Sequence, residues 1–474
     1  MKTKLAVISI LVISVFMLFG CLKTSKPTYK ADLEVWGMFD SSDAFALIIG
    51  DYKKMNPYIG EIKYRKFAST DTYKKDVIDA LASGQGPDIF LVSNNWLPLF
   101  KDKIEPAPEW ILGEREFRSN FIDVVADNFI DEGKIWGSTL SVDSLALYYN
   151  KDLFNMAGIT NPPATWEEFI SNVSQLTKID QYGNITQAGA TLGTAENINR
   201  STDVLTLLML QKGAVMNKGA SDKVSFDAPV SVNGQTVNPG NEALSFYTQF
   251  SNSSNASVYT WNPRMDYSID SFYEGTTAMM INYSWHYETI KSKNSKLNFA
   301  VSQVPQFENG IKVNFANYWG FVVGKNKIIP AEKGYDNNVR THEAWQFLKY
   351  LTIKNNGSVK LINGKSFWQC YLAKGKNCVA DNSKDFPTSA DPAKQYAETT
   401  RKPGARRDII ETQKSDPFLG PFAYGNLIDK TWHQMDSDSN DRILAEAINS
   451  IVSGNSTVYN AIKLAVSRIQ KLQQ

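Results

Sequence analysis

Charge of one sign is the first thing this sequence lacks: 50 lysines and arginines stand against 49 aspartates and glutamates, a formal net of +1. Without a basic field there is no electrostatic footprint for nucleic acid, so nucleic-acid partners are set aside. Histidine is scarce as well. His286, His342 and His433 are the whole set, too dispersed for the two-histidine helix of a zinc hydrolase, and His342-Glu343 has no second histidine one helical turn on. No G-x-S-x-G elbow and no G-x-x-x-x-G-K-[ST] loop occurs, so nothing points to a nucleophile or to a bound nucleotide phosphate. Residues 436–441 begin like a calcium loop, but Asp441 stands where the glycine belongs and Ala447 where the closing glutamate belongs, so they are expected to form a polar turn before a helix. Neither a metal nor a cofactor is expected. Long apolar runs are missing except for residues 5–19, and no other segment approaches a membrane span.

That one apolar run follows Lys2 and Lys4 and closes on Gly20-Cys21. At roughly 15 residues it is short of the ~20 that a span needs, and with its positive start it has the form of an export signal. The cysteine at its end resembles that of a bacterial lipoprotein signal, in which Cys21 becomes the lipidated first residue; the alternative is an ordinary signal peptide. Residues 1–21 are thus assigned as signal and residues 22–31 as a polar tether, which makes the chain extracytoplasmic and lipid-anchored to the membrane. Only three cysteines exist. With Cys21 lipidated, Cys370 and Cys378 remain as a pair in an oxidising compartment. The short intervening loop, with Gly375 inside, favours a disulfide over two separate thiols, although a cell without oxidative folding machinery would leave the pair reduced.

With 43% hydrophobic residues and 21% charged, the body of the chain is globular, and 474 residues exceed what one core serves, so two lobes are expected. Patterning predicts alternating strands and helices. Residues 33–36 form a strand running into a loop at 37–40, and a helix follows through Tyr52. A strand at 61–64, a helix over 73–82 stopped by the turn 83–87, and a buried strand at 88–92 come next. The alternation resumes with a strand at 145–149, a helix over 166–176 opened by Thr165, an apolar helix over 202–210, and strands at 278–281 and 319–323. Near-continuous apolar strands between amphipathic helices predict parallel sheets covered on both faces. The last third carries helical spacing from Arg442 to Ile469.

Several strings then resemble one family in its own order. They are Gly86-Pro87-Asp88-Ile89; Tyr148-Tyr149-Asn150-Lys151-Asp152-Leu153-Phe154 followed by Pro162-Pro163-Ala164-Thr165-Trp166-Glu167-Glu168; Phe272 to Met280 running into Asn282-Tyr283-Ser284-Trp285; and Tyr318-Trp319-Gly320. The chain resembles the extracellular solute-binding proteins of the maltose and oligosaccharide type (family 1), lipoprotein components of ABC importers. The resemblance implies an α/β, two-lobed periplasmic-binding-protein fold of type II, each lobe a sheet flanked by helices, with a sugar held in the cleft between them. Residues 32–142 and 306–360 are assigned to lobe 1, and residues 145–304 and 361–474 to lobe 2. Crossings are expected near 142–144, near Val304-Pro305 and around 357–364. Open α/β sheets independently place ligands at the carboxyl ends of their strands.

Carried over position by position, the resemblance implies ligand contacts from Trp36, Phe39 and Asp40 in the first loop, and from Asn94, Asn95 and Trp96 after the buried strand. Asn95 replaces the aspartate of maltose-binding members. Asp143 falls at the hinge in place of a glutamate, Trp285 where the family stacks a sugar ring, and Tyr318 and Trp319 in the next loop. Carboxylates and amides suit a sugar's hydroxyl rim and indoles its C–H face. Trp261, Trp345 and Trp432 are assigned to packing, and Phe367-Trp368 is left between packing and contact. The expected function is capture of a carbohydrate by lobe closure and delivery to ABC permease subunits, by a monomer without catalysis. The alternatives are a lipid-anchored glycoside hydrolase, with Asp40 and Asp143 as an imaginable carboxylate pair, and a two-lobed sensory receptor.

Overall fold

The computed structural model describes residues 29–217 and 222–473; Cys21 and most of the tether lie outside the described residues. Two sheets organise the chain. In the first, β1 (Ala31–Gly37) runs parallel to β2 (Ile59–Lys66) on one side and to β3 (Ile89–Ser93) on the other. Two further strands of this sheet are β4 (Ile104–Glu105) and, much later in the chain, β8 (Trp319–Gly324). The second sheet has β5 (Ala146–Asn150) at its centre, flanked by β6 (Met279–Asn282) and β7 (Phe299–Gln303).

Strand order in the first sheet is β2-β1-β3-β8-β4, with β8 antiparallel to both of its neighbours, and the second sheet is antiparallel throughout. The expectation of all-parallel sheets is therefore corrected. All five residues of β3 are buried, and such a run reports burial on both faces, not the direction of a neighbour arriving more than two hundred residues later.

Local chemistry sets the helix ends. The helix Trp166–Leu176 starts in a full capping box: the Thr165 hydroxyl accepts from the Glu168 N–H, and Glu168 reaches back to the Thr165 N–H. The helix Thr70–Ala82 stops at Ser83 and Gly84, the glycine at φ +70°, a conformation that residues with a Cβ seldom take. Ser201–Gln211 is buried along nearly its whole length. The C-terminal pattern is two helices, Ser437–Val452 and Val458–Leu472, and Asp436 caps the first by accepting from the Ser439 N–H. Among the described residues no group of histidine, cysteine, aspartate and glutamate is arranged to hold a metal ion, and no helix is long and apolar enough to cross a membrane.

Each sheet carries its own core. The first gathers residues from Tyr29 to Val142, Ala316 to Leu361, and Ala393 to Ile410. The second gathers Leu145 to Tyr283, Val304 to Phe315, and Trp432 to Ile469. The chain thus returns to the first core between Phe315 and Ala316, not at Val304-Pro305. Residues 361–410, assigned from the sequence to the second lobe, pack on the first: Tyr396 lies 5.7 Å from Phe45, ring to ring. Nothing local in residues 361–410 announces which core they cover, because the contacts that hold them are hundreds of residues away. Trp261, Trp345 and Trp432 are fully or almost fully buried as packing. Asp88 of the Gly-Pro-Asp string is structural too. Its buried carboxylate accepts from the Glu34 N–H at 2.6 Å, Lys327 at 2.9 Å and Arg340 at 3.2 Å, tying β1 and β3 to the helix Asn337–Thr352.

Candidate functional site

A cavity of about 1090 Å³ lies between the two cores and is lined by both. Nine of the ten residues expected at the ligand line it: Phe39, Asp40, Asn94, Asn95, Trp96, Asp143, Trp285, Tyr318 and Trp319. Trp36 does not. It is buried within β1, its indole N–H donating to Glu34 at 2.7 Å, its ring 4.8 Å from Phe67 and the Arg65 guanidinium 4.9 Å from it. Trp36 shares a face of β1 with the half-buried Asp32 and Glu34, where Phe67 and Arg65 cover it, and only after Gly37 does the chain present side chains to the cavity.

The first core supplies an aromatic wall. Phe39 is 54% exposed and meets Trp319 edge-on at 5.3 Å; Trp319 in turn stands edge-on to Trp96 at 4.9 Å. Opposite elements of the second core supply Trp285, 40% exposed, its ring stacked at 4.5 Å on the buried Tyr283. Stacking on Tyr283 fixes the indole plane and leaves its other face to the cavity, the geometry that receives the C–H face of a ring.

The polar residues divide into free and engaged. Asn95 Oδ1 is buried and has no partner, so it is an acceptor waiting for a hydroxyl. Asn94 is already spent: it accepts from the Tyr318 N–H at 3.3 Å and donates to Thr431 at 3.1 Å. Tyr318 is buried and donates to Asn128 at 2.6 Å. Asp40 accepts from the Tyr396 hydroxyl at 2.7 Å and from Lys402 at 2.6 Å, so it enters the cavity as half of an ion pair. Asp143 binds across the crossing, accepting from the Ser284 N–H at 3.2 Å and from the Ser284 hydroxyl. Burial pushes its carboxyl up to about 7, against the pull of the Ser284 bonds and the Lys402 charge.

A second polar group was not anticipated. Arg200, Asp203 and Asp441 form part of the cavity lining on the second core. Arg200 adopts φ +63° just ahead of the helix Ser201–Gln211, and its guanidinium lies 5.4 Å from the Trp285 ring. Its Nε is buried without a partner. Asp203 accepts from the Tyr283 hydroxyl at 2.8 Å, and Asp441 from Thr202 at 3.2 Å. Burial raises both carboxyls, Asp441 to about 7, where the neighbouring Asp203 charge adds to the rise. The sequence offers a faint sign in Arg200 and Asp203, spaced three apart at a helix start, but Asp441 is brought in from a helix far down the chain. Lys402 and Tyr396 were missed because the segment carrying them was assigned to the other lobe. Phe367 and Trp368 stand outside the cavity, packed with Trp110 and Tyr371 around the Cys370–Cys378 disulfide, which the structure forms.

Two α/β cores joined by crossing segments, with one large aromatic and polar cavity between them, define a two-lobed protein with a cleft of ligand size. The chain belongs to the bacterial extracellular solute-binding proteins, whose family model matches residues 40–354. It is 22% identical over 344 residues to a protein of Brucella abortus (strain 2308) named as a binding protein, covering 69% of this chain and 76% of the relative. With the maltodextrin-binding protein of Bacillus subtilis (strain 168) it shares 24% identity over 275 residues, 56% of this chain and 59% of the other. Among solved structures it resembles the sugar-binding protein of the phytopathogen Xanthomonas citri, with a TM-score of 0.67 at 16% identity, covering 94% of this chain and 97% of that one.

Proposed function

We propose that this chain is the capture component of an ABC importer, anchored outside the cell by a lipid on Cys21, which binds an oligosaccharide by closing its lobes and delivers it to permease subunits as a monomer. One observation carries the carbohydrate reading: both cores turn exposed aromatic rings, Phe39 and Trp285, into a cavity that also holds the unpartnered acceptor Asn95 Oδ1. At about 1090 Å³ the cavity has room for more than one sugar ring. The names of the relatives, with maltodextrin and sugar among them, support the same class. Of the ten contacts proposed from the sequence Trp36 is withdrawn, and Asn94 and Tyr318, whose polar atoms are engaged within the protein, are proposed to shape the cavity wall.

Binding is favoured over hydrolysis by the family to which the chain belongs, and each candidate carboxyl is engaged within the protein. Asp203 is held by Tyr283 and Asp441 by Thr202, and the imagined pair Asp40 and Asp143 is occupied by Lys402 and Ser284. The test is calorimetry and thermal shift with linear and cyclic gluco-oligosaccharides, using peptides and amino acids as controls. Saturation at a hundred times Kd should stabilise the protein by ~2.7 kcal/mol. Trp285→Ala should weaken binding about 10- to 100-fold by removing a ring-sized apolar face. Release of shorter sugars, followed by chromatography, would hand the site to a hydrolase, and a response to peptides alone would overturn the carbohydrate reading.

A further inference from the structure

Residues 364–387 have no part in the cavity and cover one surface of the first core. The helix Gly364–Leu372 ends in a tight loop that the Cys370–Cys378 disulfide closes, and the strand Ser383–Pro387 returns to pair with Ser358–Ile362. Under the loop, Trp110, Phe367 and Trp368 pack as a ring cluster. At its tip, large apolar side chains face outward: Tyr371 is 53% exposed and Leu372 72% exposed. Lys374 and Lys376 follow at once, both exposed. Over residues 358–387 five lysines stand against two acids, Asp381 and Asp385, in a chain whose overall charge is close to zero.

The place where the chain enters the fold gives this surface a neighbour. Tyr29, the first described residue, is buried, and its hydroxyl accepts from the Gly364 N–H at 3.0 Å, at the start of that same helix. From there the tether runs back to Cys21 through Lys26 and Lys23 with no acidic residue. Eight peptide steps span about 28 Å when fully extended. The nine-residue helix carries its tip only about 13 Å from Gly364. An anchor at Cys21 therefore holds the tip within reach of the bilayer, and a short tether makes weak surface contacts count by raising their local concentration.

We propose that the disulfide-closed hairpin is a membrane foot: Tyr371 and Leu372 dip into the headgroup region of an anionic bilayer while Lys374 and Lys376 sit on its negative surface. The proposal rests on the reading of Cys21 as the anchor. It makes the first core the stationary lobe and leaves the second free to move.

Vesicle sedimentation of the chain from Leu22 onward tests it, carried to millimolar lipid because the foot without its anchor partitions weakly, with vesicles rich in phosphatidylglycerol set against phosphatidylcholine alone. Binding should favour the anionic vesicles and be lost at high salt. At about fivefold per lysine, Lys374→Glu with Lys376→Glu should lower it at least 25-fold, roughly, while Lys151→Glu with Lys178→Glu, exposed lysines of the second core, should change it little. Leu372→Ser should weaken it further, and unchanged sugar affinity in each variant shows that the fold is intact. Equal binding to both vesicle types, or equal effects of the two charge pairs, overturns the foot. Loss of permease capture with vesicle binding unaltered gives the face to the permease instead. The mass of the membrane-extracted chain separates the two readings. An acylated Cys21 without vesicle preference removes the foot and keeps the anchor; an unmodified Cys21 with the preference intact does the reverse.

Discussion

Glu343 shows what one buried acid does to the pH behaviour of this protein. It is fully buried on the helix Asn337–Thr352 and accepts from the Tyr29 hydroxyl, from Asn56 at 3.2 Å and from Gln346 at 3.0 Å. Burial pushes its carboxyl up to about 7, and the three donors only partly offset that. A carboxyl raised in the folded state holds its proton more tightly there than in the unfolded chain. Its contribution is therefore fully present below its unfolded value near 4.5 and is lost as pH climbs through about 7. Glu343→Gln keeps the shape and removes the titration. The stability difference between wild type and this variant, measured by denaturant melts at each pH, should fall by at most about 3 kcal/mol between pH 4.5 and 7 and stay level on either side. A flat difference across that window would mean that Glu343 is ionised throughout. Comparing variant with wild type matters because His342, pushed down to about 4 by burial next to it on the same helix, titrates with the opposite sign.

At the scale of elements, the disulfide hairpin carries the clearest expectation. Cys370 and Cys378 close a loop of eight residues' separation, and cross-linking a loop of this size stabilises by about 2–3 kcal/mol in the chain-entropy account. The hairpin packs on a satellite cluster at the edge of the first core, so the loss in Cys370→Ser with Cys378→Ser belongs to local opening. Hydrogen exchange should speed within residues 364–387 while the helices around β3 keep their protection; uniform acceleration across the first core would contradict this. Elements of this kind also mark how far the sequence could be read. Thr165 and Glu168 announce a helix start because a capping box is a local bond pattern, and residues 88–92 announce a buried strand because an apolar run is local as well. The direction of β8, the core to which residues 361–410 belong, and the joining of Lys402 to Asp40 all depend on contacts across hundreds of residues. The candidate site was legible where it sits in loops beside buried strands, as with Phe39, Asn95 and Trp285. It was hidden where distant segments complete it, as with Tyr396, Lys402 and Asp441. Trp36 was misplaced because Arg65 and Phe67, on and just after β2, cover its ring.

The whole molecule is two cores held against each other by the crossings and by direct bonds, Lys430 to Asp127 at 3.2 Å among them. Beyond the crossings, the loop after β3 reaches the segment 431–438 through Asn94 to Thr431 at 3.1 Å, the Gln434 N–H to the Asn95 carbonyl at 3.2 Å, and the Trp96 indole N–H to the Ser437 hydroxyl at 3.1 Å. A ligand that binds best between the cores must share its binding free energy with whatever holds them in this arrangement, since apparent affinity falls with the fraction of molecules that adopt it. Ser437→Ala removes the acceptor for Trp96 and leaves the helix cap, which Asp436 provides, untouched. One neutral hydrogen bond is worth ~0.5–1.5 kcal/mol net, so sugar affinity should fall about 2- to 12-fold. Contacts that tie the closed arrangement act after encounter, so the loss should be in the dissociation rate, with association nearly unchanged. Stopped-flow binding and small-angle scattering on the same variant decide it. A faster release with a more open ligand-free molecule supports a latch between the lobes; a slower association with no change in shape would show that Ser437 serves the sugar directly and that the cores need no tie on this side.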